Sequence, residues 1–210
     1  LALEEYKKHL LPDFHAERSG TPRLEANRHT RESIKRTERQ IIVELKEGRL
    51  SQIPAIALAA LKYYLLSVDP SKDIIFDAEQ AVRFEGATGP YIQYTYARIQ
   101  SIKSKIFNFQ FSIFNNDNKA IFLNYEERAI INKLAHFQPI LEKSAREYNP
   151  AHLAHYLFAL AEIINSFYHK HEVLKAEAGE RQKRLALLDA CSLVLKKGLS
   201  LLGIEAVERM

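Results

Sequence analysis

The chain has 210 residues, 47% apolar and 27% charged, which is ordinary for a globular protein and enough for one sizeable core or two small ones. Thirty Lys and Arg face 26 Asp and Glu, and the sequence pI is near 9.0; this suits a polyanion partner and equally a slightly basic soluble surface. The single cysteine, Cys191, excludes an internal disulfide and a thiolate metal cluster, and a reducing, cytoplasmic setting fits.

No signal peptide is visible, and the first residue is Leu1 rather than Met, which points to a fragment or a processed chain. Residues 1–50 are charge-rich. Leu1–Leu11 has helical spacing and stops at Pro12, and Gly20-Thr21-Pro22 marks a loop. Thr30–Lys46 carries a weak apolar stripe through Ile34, Ile41 and Leu45, which predicts an exposed or partner-facing helix. Arg28, Arg31, Lys35, Arg36 and Arg39 make either a basic face or a solvated surface with Glu32 and Glu38 as ion partners.

Ile53–Val68 reads as a buried helix ending at Asp69-Pro70; its apolar run, Ile53–Leu61, is closed by Lys62 and is too short to span a bilayer, so no membrane partner is expected. Ile74–Phe84 is short enough for a strand or extended segment. Gly86 and Thr88-Gly89-Pro90 then form a turn, followed by a helix from Pro90 to about Phe109. On that helix Tyr91, Tyr94 and Arg98 stand at i, i+3 and i+7 and share one face, while Tyr96 points elsewhere. Two phenols and a guanidinium in a row suit a site that stacks flat rings and holds a phosphate. Phe111–Asn118 reads as a polar turn.

Three further helices are predicted over Tyr125–Phe137, Pro150–Lys170 and Glu180–Leu202. Leu153, Leu157, Leu160, Ile164 and Phe167 form one core stripe; Leu185, Leu188, Leu195, Leu199 and Leu202 form another, with Gly203 as the C-cap. The sum is an all-α bundle of about five or six helices with at most one short extended segment.

Enzymatic signatures are missing. No Gly-rich loop has Walker or dinucleotide spacing, and the pairs His152/His155 and His169/His171 lack zinc-hydrolase spacing. The neighbours of Cys191 make it a buried small residue. Asp189 reads as a structural partner or capping acceptor rather than a catalytic acid.

The run from Phe84 through Gly86, Gly89-Pro90-Tyr91, Gln93-Tyr94, Tyr96 and Arg98 to Ile102 resembles the signature that opens the C-terminal anticodon-binding domain of arginyl-tRNA synthetases. Ala60-Leu61-Lys62-Tyr63 with Phe76-Asp77 is similar to that family's lead-in. Asn165-Ser166-Phe167-Tyr168-His169 before Val173-Leu174 is similar to its Phe-Tyr-His…Val-Leu element. Arg184–Ala190, Leu195–Leu199 and Leu202–Met210 resemble its final helix and tail, from which the DALR domain takes its name. The resemblance covers residues 53–210, about three quarters of the chain, and residues 1–50 match poorly.

Residues 1–50 read as a charged helical lead-in outside the resemblance, which implies a class I synthetase anticodon-binding bundle over 51–210. It implies that the chain binds the anticodon loop of an arginine tRNA, with Tyr94, Arg98, Tyr168 and Met210 lining the pocket. Tyr91 extends the platform, and Lys103 and Lys105 supply phosphate contacts. Without the resemblance, Tyr168 reads as a core tyrosine bonded to a carbonyl. The parent enzyme esterifies arginine to its tRNA with ATP and Mg²⁺. The motifs of its catalytic domain, an expected partner, are absent here, so this chain alone is expected to be inactive and to need no cofactor. A stand-alone helical adaptor for tRNA or protein is the alternative.

Overall fold

Helices dominate the described residues, 52–105 and 122–210, of the computed structural model, and no strand occurs among them. The chain divides into two compact units, Leu1–Pro54 and Ala55–Met210. The expected helices over Leu1–Leu11 and Thr30–Lys46, the basic face of the second, the last turn of the tyrosine-rich helix and the Phe111–Asn118 turn lie outside the described residues.

The first described helix, α1 (Ile53–Leu66), buries Ile56, Ala59, Ala60 and Tyr63. The extended segment expected over Ile74–Phe84 is instead a coil followed by a single helical turn, α2 (Ala78–Ala81). The Asp77 carboxylate accepts from the N–H groups of Glu79 and Gln80 at 2.9 and 3.1 Å, so a local cap wins over the β-branched composition. The Tyr64 hydroxyl donates to Ile75 O at 2.8 Å and its ring meets Phe76 edge-on at 5.1 Å, which pins the coil to α1.

Helix α3 (Gly89–Ser104) starts where Thr88 Oγ1 accepts from Tyr91 N at 3.2 Å and donates to Arg83 O at 2.6 Å. Pro90 lies in the first turn, where its missing N–H costs nothing. Gly89 is required by contact rather than by backbone angle: a Cβ there would sit 2.3 Å from Ala59 O of α1.

Helix α4 (Tyr125–Ala135) opens with a reciprocal capping box, Glu127 N to Asn124 Oδ1 at 2.8 Å and Asn124 N to Glu127 Oε2 at 3.0 Å. It ends at His136, and α5 (Phe137–Arg146) begins at once. The sequence reading ended the helix at Phe137 and gave no second one. Pro139, which reads as a breaker, sits in the first turn of α5, where it is tolerated. The end of α5 closes through Asn149 N to Ser144 O at 3.0 Å, with Tyr148 exposed at φ 49°, in the left-handed region.

Helices α6 (Ala151–Lys170) and α7 (Ala178–Leu201) carry the two predicted stripes, and every residue of both is buried. Each fully buried leucine contributes about 1.5–3 kcal/mol of transfer free energy. Helix α6 packs against α3, α4, α5 and α7 and so forms the hub. Tyr63 and Tyr156 donate to Ala154 O at 3.2 Å and to Lys133 O at 2.8 Å. Gly203, at φ +67°, ends α7 with paired bonds from its own N to Ser200 O and from Ile204 N to Leu199 O, at 3.0 and 2.9 Å. That turn sends the final residues back across the bundle.

Two expectations follow. Gly89→Ala forces α1 and α3 apart and is expected to destabilise the chain by about 1–3 kcal/mol in denaturant titration; an unchanged midpoint refutes the contact. The second concerns acid. Lys170, then a backbone N–H and His171, hold the Glu126 carboxyl down to about 2. Burial raises the Glu127 carboxyl, but Asn124, Lys183 and Arg184 together leave it below its ordinary value. Carboxyls depressed in the fold stabilise it fully above about pH 4.5 and lose that contribution as pH falls toward about 2. Glu127→Gln is expected to lower the melting temperature at pH 7 and to flatten its decline with acid.

Candidate nucleic-acid interface

Three pairings, at successive turns of α3, join it to α6. The Tyr91 and Phe158 rings lie 5.6 Å apart, Asn165 Nδ2 donates to Thr95 Oγ1 at 2.9 Å, and Arg98 Cζ stands 4.9 Å above the Tyr168 ring centroid. Residue numbers rise together along both helices, so the two run parallel at this seam. The central hydrogen bond fixes the rotation of α3. Ile92, Tyr96 and Ile99 then face the core, and Tyr94 is left 42% exposed.

The Tyr91–Tyr94–Arg98 face predicted from spacing is therefore present, but its members have different partners. Tyr91 is taken up by Phe158. Arg98 is held over Tyr168 by a cation–π contact worth about 0.5–2 kcal/mol. Only Tyr94 offers an open ring.

Tyr168 is the unusual member. Burial pushes its hydroxyl well above the ordinary phenol range, Cys191 adds to this and Arg98 opposes it. Among the described residues the buried hydroxyl has no hydrogen-bond partner, and neither does Asn165 Oδ1 one turn earlier. Tyr63 and Tyr156 are the carbonyl-bonded core tyrosines that Tyr168 resembled on composition alone. An unpaired buried polar atom costs about 1–3 kcal/mol, so two of them beside an anchored guanidinium mark a place suited to a polar ligand.

The final segment approaches α3 from another side. Gln93 Nε2 donates to Glu205 O at 2.7 Å, and Glu208 lies close enough to Tyr96 to help burial raise that hydroxyl. Ile204 and Val207 are buried and Met210 is half-buried. Gln93 precedes Arg98 by five residues, roughly 140° around the helix, with Tyr94 between them. Tyr94 thus stands on a ridge flanked by the tail on one side and the Arg98–Tyr168 pair on the other.

The lysines separate. Lys105 is exposed at the end of α3, about a quarter-turn or less from the Tyr94–Arg98 face. Lys103 points elsewhere and pairs with Asp189 of α7, so its charge is already engaged. Asp189 is a structural partner there, in line with its sequence reading. Sequence reasoning missed Gln93, Thr95 and Asn165. Polar residues among apolar ones at core positions are the signal that was available.

The fold has counterparts among solved structures. Arginyl-tRNA synthetase from Thermus thermophilus matches with a TM-score of 0.70 and 33% identity, over 86% of this chain and 32% of that one. The enzyme from Plasmodium falciparum matches with a TM-score of 0.68 at 22% identity, a likeness of fold alone. The family model of the DALR anticodon binding domain matches residues 92–210, and the chain belongs to that family.

Among curated proteins, the arginine–tRNA ligase of Porphyromonas gingivalis (strain ATCC 33277) is 38% identical over 156 residues, 74% of this chain and 26% of the relative. That of Pyrococcus abyssi is 37% identical over 184 residues, 85% of this chain and 29% of the relative. The chain spans about a quarter of the length of these relatives.

Behind Tyr168, burial pushes the Cys191 thiol up to about 12. The native chain is expected to leave a colorimetric disulfide reagent unreacted at pH 8 and to react fully in denaturant. Rapid native labelling overturns this placement of the thiol.

Proposed function

We propose that this chain is the tRNA-binding part of an arginine–tRNA ligase and holds the anticodon loop of an arginine tRNA. The observation that carries the reading is the Arg98–Tyr168 stack with its unpaired buried hydroxyl, set beside the open ring of Tyr94. Sequence-specific RNA reading acts on unstacked bases held against aromatic rings and guanidinium planes. One splayed base stacks on Tyr94. Arg98, kept planar and oriented by Tyr168, accepts a phosphate or a base edge in its fork of donors. Lys105 offers a further phosphate contact. Met210, at the end of the tail, supplies a flexible apolar contact.

Esterification of arginine, with ATP and Mg²⁺, belongs to the rest of such a ligase, which is this domain's partner in a cytoplasmic enzyme. Among the described residues no three His, Cys, Asp or Glu side chains gather as a metal site. On this reading the chain binds RNA and leaves the esterification to the rest of the ligase.

A second reading, a stand-alone helical adaptor, has one observation in its favour. Leu58, Leu61 and Leu65 form an exposed apolar row on α1. Salt separates the two: tRNA binding falls steeply with added salt, whereas an apolar protein contact does not.

Calorimetric titration with an arginine tRNA transcript against an unrelated tRNA tests the proposal. Clear preference for the arginine tRNA is expected, and equal weak binding to both overturns it. Tyr94→Ala is expected to weaken binding by roughly 1–3 kcal/mol, the worth of one stacked base; unchanged affinity removes Tyr94 from the interface.

A further inference from the structure

We infer that Gln93 is the positioning residue that latches the C-terminal tail onto α3 and so sets where Met210 stands relative to Tyr94; this rests on the RNA-binding reading above. Gln93 is fully buried, a costly place for an amide; its Nε2 is bonded, while its Oε1 has no partner among the described residues. Its Nε2 donates to Glu205 O of the tail at 2.7 Å and reaches Ala55 O of α1 at 3.5 Å. One amide therefore ties three segments together: α1, α3 and the tail.

The other contacts of the tail do not set its register along α3. Ile204 and Val207 are buried, but apolar burial is non-directional and tolerates sliding. Glu205, Glu208 and Arg209 are exposed. Lys62 Nζ reaches the carbonyl of Gly203, which fixes the turn that launches the tail rather than the tail itself. Among the described residues, the directional bond to the tail beyond that turn is the one from Gln93. It is made beside Tyr94, so the latch places the tail along one flank of the ring proposed to stack a base.

Gln93→Leu tests this, since it keeps the volume and removes the donor. Gln93→Met is the second variant, unbranched like glutamine and without a donor. Circular dichroism melting establishes that each is folded. Amide hydrogen exchange over residues 204–207 is expected to speed up about tenfold in both, the effect of losing one buried directional bond. Affinity for the arginine tRNA transcript is expected to fall about tenfold in the full chain. In a chain truncated after Ile204, Gln93→Leu is expected to cause no additional loss, because the residue acts through the tail.

Unchanged tail exchange overturns the latch. Faster exchange with unchanged affinity overturns its role in RNA binding. An equal additional loss in the truncated chain shows that Gln93 acts through the bundle instead, which also overturns it. If the unaltered chain shows no preference for the arginine tRNA, the proposed function fails, while the exchange measurement still decides the latch.

Discussion

The hydrogen bond from Asn165 to Thr95 governs the geometry of everything around it. A helix buried along one side can rotate by a residue or two at modest cost if its contacts are only apolar. A buried polar pair resists this, because rotation strips Asn165 of its bond to Thr95 Oγ1, whose own hydroxyl is tied to Tyr91 O at 3.0 Å within the helix. With Thr95 fixed, Tyr91 must meet Phe158 and Arg98 must lie over Tyr168. The same rotation sends Ile92, Tyr96 and Ile99 inward and Tyr94 outward. The bundle provides the other half of this constraint, because α6 packs against α3, α4, α5 and α7, is bonded to Tyr63 of α1, and has no freedom to shift.

Charge is distributed with a division of labour. Lys183 and Arg184 of α7 meet the fully buried Glu127 of α4, and Lys170 meets Glu126. Lys103 meets Asp189. Those cations are committed to holding helices together. Arg98 is different, since its partner is a ring and not a carboxylate, and it keeps its positive charge available for an anion. The small net charge of +4 thus says little about the interface; the identity of the uncommitted cations says more.

Much of the fold was legible in the residues, and the failures have local causes. The α6 and α7 stripes recur at three and four residues because each helix buries a wide face, and periodicity reports that directly. Ile74–Phe84 misled because its β-branched and aromatic residues matched a strand, while the Asp77 cap, a single side-chain interaction, decided the outcome. Helix α5 was missed because it follows α4 directly at His136, with no loop between them to mark a second helix. At the interface, the Tyr91–Tyr94–Arg98 face could be read from spacing. That Tyr91 would be occupied by Phe158, Lys103 by Asp189 and Arg98 by Tyr168 could not, since each partner lies on another helix.

The sequence by itself determined the helical class, the two long core stripes, the turn at Gly203 and the family, because these follow from short-range periodicity and from motifs that are contiguous in the chain. Tertiary structure alone decided which side chains of α3 are open and which are spent, where the tail lies, and that Tyr168 differs from Tyr63 and Tyr156 in having no partner for its hydroxyl. The physical reason is the same throughout. Spacing places a side chain on a face, but its chemistry is set by what a distant part of the chain brings within hydrogen-bonding distance of it.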